Sequence, residues 1–100
     1  MATIEKKKIN RKDVQVGGCY LINGSQIILV DWLEWVEGFL NLSGMIVYTN
    51  DRMSWYKRGV VVMPGEKMFT IYDLGKEMAD YILTMRECAE EMKTIVNDNF

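Results

Sequence analysis

The chain has 100 residues, enough for one domain with a modest core, and its 49% hydrophobic and 26% charged residues are ordinary values for a globular protein. It contains no histidine, which removes the most frequent general base and zinc ligand. No apolar run approaches the roughly 18 residues of a membrane helix, and the N-terminus lacks the apolar segment of a signal peptide. We therefore expect a cytoplasmic protein that does not enter a membrane.

The two cysteines, Cys19 and Cys88, lie far apart and in different predicted elements. In a cytoplasmic protein we expect them to be reduced and buried rather than joined in a disulfide. Neither has a candidate base, and the sequence shows no paired carboxylates, no phosphate-binding glycine loop and no cluster of metal ligands. We therefore expect a protein that is not an enzyme and that needs no cofactor or metal.

The first segment, Met1 to Lys12, is polar, has no hydrophobic periodicity and carries five basic side chains against one acidic. We interpret it as a flexible basic arm that precedes a single domain over residues 13–100. It could be a solvated tail or a nucleic-acid contact, and acidic residues elsewhere in the chain favour the tail. The basic residues concerned are Lys6, Lys7, Lys8, Arg11 and Lys12.

A hairpin follows the arm. The segment Cys19 to Ile22 is apolar, Asn23-Gly24 is a strong signal for a tight type I′ turn, and Gln26 to Val30 gives the return strand. The continuous apolar run of the return strand predicts burial on both faces.

The stretch Asp31 to Leu42 can be interpreted in two ways. Its apolar residues have helical spacing, and Asp31 with Glu34 could form a capping box. Trp, Val and Phe favour strands, however, so we predict a strand that continues past Asp31, turns near Glu37-Gly38 and returns. A single helical turn is the alternative. We place a break at Ser43-Gly44.

The remaining β segments are short. We predict strands over 45–48, 53–57, 60–63 and 68–71, with a turn at Arg58-Gly59 and a firm stop at Pro64-Gly65.

The last quarter of the chain, Asp73 to Asn97, has three columns of apolar residues on a seven-residue grid, which predicts one long amphipathic helix with Asp73 as its N-cap. The predicted fold is therefore α+β. Five to six short antiparallel strands over residues 13–71 form a small SH3-like barrel or a curled sheet, and the helix over 73–97 follows.

Several motifs resemble a family of small SH3-like bacterial and phage domains of unknown function. Gly18-Cys19-Tyr20 and Met68-Phe69 fit, and Val47-Tyr48 is followed by Trp55 and Arg58. That family has Trp-x-Arg-Pro after Val-Tyr, whereas the spacing here is one residue longer and the proline stands at position 64. The resemblance covers residues 17–69, implies a small barrel and a phage or mobile-element origin, and supplies no activity.

Aromatic and basic side chains are dense in the middle of the chain. Three explanations fit them: core and rim packing, a protein interface anchored on Trp, Tyr and Arg, and base stacking with phosphate contacts. The candidate partner-binding residues are Trp32, Trp35, Arg52, Trp55, Tyr56, Lys57 and Arg58.

A helix of this length has an apolar stripe longer than the face of a small barrel, because each residue adds about 1.5 Å. We expect the C-terminal half of the stripe to pair with a second copy, giving a homodimer or higher oligomer. The self-association residues are Met85, Cys88, Ala89, Met92, Ile95 and Val96.

The sequence thus favours a non-catalytic protein-binding module, of the kind a phage uses as an inhibitor or adaptor that contacts a host protein. The alternative is nucleic-acid or nucleotide binding through the basic arm and the Trp/Tyr hairpins.

Overall fold

A computed structural model describes residues 4–48, 57–63, 69–85 and 98 of the chain. These residues contain one sheet and one α-helix, with a 3-10 helix at Arg11–Asp13. The strands are β1 (Lys7–Ile9), β2 (Cys19–Ile22), β3 (Gln26–Val36), β4 (Phe39–Tyr48), β5 (Lys57–Met63) and β6 (Ile71–Asp73), and the helix is α1 (Gly75–Met85).

The six strands form one antiparallel sheet in the order β1-β6-β2-β3-β4-β5. A six-stranded sheet followed by a C-terminal helix agrees with the predicted α+β class. The sheet is not closed: among the described strands, β1 and β5 lie at its two edges and pair with one neighbour each. An SH3-like barrel is therefore not confirmed.

Part of the N-terminal segment belongs to the sheet: residues 7–9 form a strand where the sequence suggested a flexible arm over residues 1–12. Strand β1 pairs with β6, with Lys8 opposite Tyr72 and Ile9 opposite Ile71. Ile4, which precedes the strand, is buried in the core beneath α1. Two lysines and one isoleucine become a strand because an unpaired edge of β6 is available to them, and a local pattern does not show this.

The predicted hairpin between β2 and β3 is confirmed. Asn23 and Gly24 have φ values of 52° and 72°, and the Ser25 amide donates a hydrogen bond of 3.2 Å to the Ile22 carbonyl. Both central residues of a type I′ turn need positive φ, which asparagine and glycine tolerate best. Ser25 is an additional loop residue, since pairing resumes between Ile22 and Gln26.

The stretch from Asp31 to Leu42 forms strand and turn, as preferred, and the alternative of a helical turn is wrong. Strand β3 continues to Val36, Glu37 and Gly38 make the turn with positive φ, and β4 returns from Phe39.

The predicted break at Ser43-Gly44 is wrong, because β4 runs through it to Tyr48. Here the ladder shifts register: Val30 lies opposite Gly44 but Trp32 lies opposite Ser43, so Asp31 is an extra residue, a β-bulge. A Cβ at Gly44 would overlap the carbonyl oxygen of Leu29. The glycine therefore serves close backbone approach within a strand rather than a turn.

Strand β5 also runs through a predicted turn. Arg58 and Gly59 pair with Met45 and Gly44 of β4, so the turn predicted at Arg58-Gly59 is wrong. The strand predicted over residues 53–57 lies outside the described residues except for its last residue, Lys57, which begins β5.

Helix α1 begins at Gly75, two residues after the predicted N-cap. The Asp73 carboxylate still accepts a hydrogen bond of 2.8 Å from the Gly75 amide, so it satisfies one of the free N–H groups at the start of the helix. The predicted continuation over residues 86–97 lies outside the described residues.

The core has two layers, one on each face of the sheet. The helix layer contains Met78 and Ile82 of α1 packed with Cys19, Leu21 and neighbouring side chains. The second layer lies on the opposite face, where β2, β3, β4 and β5 contribute Tyr20, Ile28, Leu40, Leu42, Val61 and Met63. The alternation of side chains along each strand accounts for this division.

Candidate functional site

The far end of the sheet consists of the β3–β4 hairpin beyond the bulge together with β5. Strand β2 reaches β3 only as far as the pair Cys19–Leu29, so β3 beyond the bulge extends past β2. Residues directly opposite each other in antiparallel strands share a face. The pairs Trp32–Ser43, Glu34–Asn41 and Val36–Phe39 therefore point the same way.

Strand β5 adds two valines to this face, since Val60 lies opposite Ser43 and Val62 opposite Asn41. We call this surface the outer face. Its residues are Trp32, Glu34, Val36, Phe39, Asn41, Ser43, Val60 and Val62. The outer face lies on the same side of the sheet as α1, which covers that side nearer to β2. Met45, two residues after Ser43 on β4, faces this side and packs against the helix layer.

The outer face is exposed although most of it is apolar. Trp32 is 46% exposed, Phe39 45% and Val60 63%, and Val36 and Val62 are similar. Among the described residues these five make up most of the large exposed hydrophobic side chains. Six outer-face residues and Glu37 line a shallow depression of about 500 Å³. Exposed apolar residues that are contiguous, rather than scattered, mark interaction surfaces in soluble proteins.

The described charged side chains at the outer face are acidic. Glu34 lies between Trp32 and Val36 on β3, and Glu37 lies at the hairpin turn. Both side chains are exposed. Among the residues that the structure describes, none of those lining the depression is basic.

The second predicted tryptophan lies elsewhere. Trp35 pairs with Leu40, whose side chain belongs to the second core layer, so it points to the opposite side of the sheet from Trp32. The Arg11 guanidinium lies over the Trp35 ring at 5.5 Å from its centroid. The structure therefore does not bring Trp32 and Trp35 together in one site.

The other predicted partner-binding residues fall largely outside the description. Arg52, Trp55 and Tyr56 are not among the described residues, and only the backbone of Lys57 and Arg58, in β5, is described.

Most of the predicted self-association residues also lie outside the described residues. Met85 ends α1 as described, while Cys88, Ala89, Met92, Ile95 and Val96 lie outside the described residues.

The basic residues of the N-terminal segment do not share one surface. Lys6, Lys7, Lys8 and Lys12 are exposed, and Lys7 and Lys8, being adjacent in β1, point to opposite faces. Arg11 is half-buried and directed at Trp35.

The described part of the chain contains one cysteine, Cys19. Cys19 is buried, and burial, aided by the charge of Asp73, raises the pKa of its thiol to about 12, so the nucleophilic thiolate is suppressed. The described residues contain no group of three acidic or cysteine side chains placed to hold a metal ion. Over the same residues, no helix has the length and apolar character needed to cross a membrane.

The sequence interpretation missed most of the outer face. Val36, Phe39, Val60 and Val62 were not named as candidates, although the hairpin turn at Gly38 fixes which residues of β3 and β4 share a face. The pattern of alternate residues, Trp32, Glu34 and Val36, could have identified one strand of the surface. The valines of β5 could not have been placed, because their register with β4 depends on long-range pairing.

Comparison of the chain with family models, with curated proteins and with solved structures found no match.

Proposed function

We propose that the protein is a small non-catalytic binding module that acts by direct contact with another protein, through the outer face. The observation that carries the proposal is the contiguous exposure of Trp32, Val36, Phe39, Val60 and Val62 on one side of a rigid sheet. Covering such a surface with an apolar partner is worth roughly 25 cal/mol per Å² removed from water, before the cost of association. Large apolar and aromatic side chains on a rigid support are typical anchors of protein interfaces.

Nucleic-acid binding, the alternative from the sequence, has weaker support. A nucleic-acid surface combines cations with aromatic side chains on one groove or face. Here Glu34 of the outer face and Glu37 beside it are acidic, Lys7 and Lys8 lie on β1 at the other edge of the sheet, and Arg11 is directed at Trp35.

The finer parts of the proposal rest on the sequence. We propose that the module is of the phage inhibitor or adaptor type and works in the cytoplasm, and that residues 17–69 are related to the small SH3-like domains that they resemble.

We also propose that the protein is a homodimer, joined through the apolar stripe that Met85, Met92 and Val96 define in the sequence. Light scattering at tens of micromolar should give at least twice the monomer mass. Met92→Glu should dissociate the dimer by placing carboxylates in an apolar seam, whereas Glu90→Lys, on the polar side of the stripe, should not. A monomer mass for the unaltered protein would contradict this part of the proposal.

The central proposal can be tested with substitutions on the outer face and with a control substitution at an equally exposed valine elsewhere. Val60 on the outer face is 63% exposed and Val16, in the loop before β2, is 60% exposed, so Val60→Thr and Val16→Thr change equally exposed side chains. Tagged protein should capture a specific partner from host lysate, also after nuclease treatment. Val60→Thr combined with Phe39→Ser should lose the partner, and Val16→Thr should retain it. Equal capture by all variants, or loss of capture after nuclease treatment, would contradict the proposal.

A further inference from the structure

The carboxylate of Glu34 has an unusual setting for an exposed acidic residue. On its own strand the nearest residues on the same face are Trp32 and Val36, and across the ladder it faces the uncharged Asn41. Val62 lies beyond Asn41 in the same row across the sheet. The carboxylate therefore has apolar side chains on both sides along β3, which at this point has β4 as its described neighbour.

A partner that covered this surface with apolar groups alone would take the Glu34 carboxylate out of water without a counter-charge. Burying an uncompensated charge is strongly unfavourable, and the cost falls when a cation with hydrogen-bond donors is supplied. Among the residues that the structure describes, those that line the depression supply no cation, since the charged ones are Glu34 and Glu37. The counter-charge is then left to the partner.

This requirement argues against a second copy of the chain on the outer face. Two outer faces packed together would bring two Glu34 and two Glu37 side chains into one interface, and like charges in partial desolvation repel. The homodimer proposed above uses a different part of the chain.

The same geometry argues against simple addition of a strand to the free edge of β5. Glu34 lies on β3, and an added strand would be three strand positions away, about 14 Å at the usual spacing. Direct cross-strand neighbours lie about 5 Å apart. A strand added to β5 would therefore not reach Glu34, whereas a segment that lies across the outer face would.

We infer that the outer face takes a protein segment that carries an arginine or lysine among apolar residues, with the cation placed over Glu34 and the apolar groups over Trp32, Phe39 and Val60. Arginine suits the site best, because its planar guanidinium can both pair with the carboxylate and stack on the Trp32 indole. This inference rests on the proposed protein-binding function and specifies the chemistry of the partner.

The test is a selection of peptides from a displayed library of random dodecapeptides on the full-length protein. Peptides that bind the unaltered protein, but not the combined Val60→Thr and Phe39→Ser variant, should be enriched in Arg or Lys flanked by apolar residues. The same selection on Glu34→Gln should lose the enrichment in basic residues. The control is Glu5→Gln, which alters an exposed acidic residue away from the outer face, and selection on it should keep the enrichment.

One selected peptide then gives a quantitative check. Replacing its basic residue by glutamine should weaken binding to the unaltered protein about three- to tenfold, the range for a partly exposed charge pair. The same replacement should have no effect on binding to Glu34→Gln. Peptides that bind the outer face without a basic residue would overturn the inference and leave the proposed function standing. A selection that recovers no peptide dependent on the outer face would overturn both.

Discussion

The Arg11 guanidinium lies above the ring of Trp35, 5.5 Å from its centroid, and its Nη1 donates weak hydrogen bonds to the carbonyls of Gly38 and Met63 at 3.4 and 3.5 Å. Arg11 begins the 3-10 helix that follows β1, the strand at one edge of the sheet. Gly38 and Met63 belong to the β3–β4 turn and to the end of β5, the strand at the other edge. One side chain therefore connects the two ends of an open sheet across its second core layer.

Replacing Arg11 should loosen this connection. We expect Arg11→Ala to lower the free energy of unfolding by about 0.5–2 kcal/mol, because a cation–π contact on a half-exposed ring and two long hydrogen bonds are lost. Denaturant unfolding monitored by tryptophan fluorescence measures the change. Lys12→Ala, which alters the neighbouring exposed residue, should change stability by less than about 0.5 kcal/mol. Equal effects of the two substitutions would show that the Trp35 contact is not stabilising.

Deletion of residues 1–9 should destabilise the protein. It removes β1, which pairs with β6, and Ile4, which is 5% exposed beneath α1. The loss of one buried isoleucine alone corresponds to about 2 kcal/mol, and strand pairing adds to it. A thermal melt compares the deletion with the variant Lys6→Ala, whose side chain is exposed in the full-length chain. An unchanged melting temperature after deletion would restore the interpretation of this segment as a flexible arm.

Gly44 should not tolerate a side chain. Gly44→Ala would place a Cβ against the carbonyl of Leu29 at the bulge, so we expect a loss of about 1–3 kcal/mol as the strands move apart. Ser43→Ala, one residue earlier on the opposite face of β4, is the control and should be nearly neutral. If Gly44→Ala is as stable as the unaltered protein in urea unfolding, the close approach of β3 and β4 does not exist.

The buried thiol of Cys19 should make stability depend on alkaline pH. Its pKa in the folded protein is about 12 against an ordinary value of 9.0, so the unfolded chain releases this proton first. The contribution of Cys19 to stability is complete below pH 9 and is lost as the pH rises from 9 towards 12. By pH 10 the loss should be about 1 kcal/mol.

Cys19→Ala isolates that contribution. The variant should lose less stability than the unaltered protein between pH 8 and pH 10 in denaturant unfolding. Tyr20, whose pKa is also raised by burial, is present in both proteins and shifts both curves in the same direction. Parallel curves for the two proteins would mean that the Cys19 thiol has the same pKa in the folded and the unfolded protein.

Turn chemistry explains which parts of the fold the sequence could predict. Asn23-Gly24 and Glu37-Gly38 both adopt positive φ, a local requirement that residue type reveals. At Gly44 and Gly59 the same residue type serves a different purpose: Gly44 allows close approach to the backbone of Leu29, and Gly59 leaves room for the side-chain end of Ile46. Only the partner strand shows this. Interpreting these two glycines as breaks divided two continuous strands.

Strand β1 and the positions of the tryptophans show a second limit. Lys7–Ile9 has no strand pattern of its own and forms a strand because β6 offers a partner. Trp32 and Trp35 were grouped because they are close in sequence, but an odd separation along a strand places them on opposite faces. The preferred strand interpretation of this stretch already implied that the two tryptophans point to opposite faces. No local feature of the sequence implied that Trp35 contacts Arg11.

The position of β5 at the edge of the sheet has a consequence for handling the protein at high concentration. Among the described strands β5 pairs only with β4, and its run of three valines exposes Val60 and Val62 next to an unpaired backbone. An edge of this composition is a template on which further strands can add, and this is the first step of fibril growth. We expect the isolated protein to aggregate through β5 when it is concentrated. The substitution Val62→Lys should delay this aggregation.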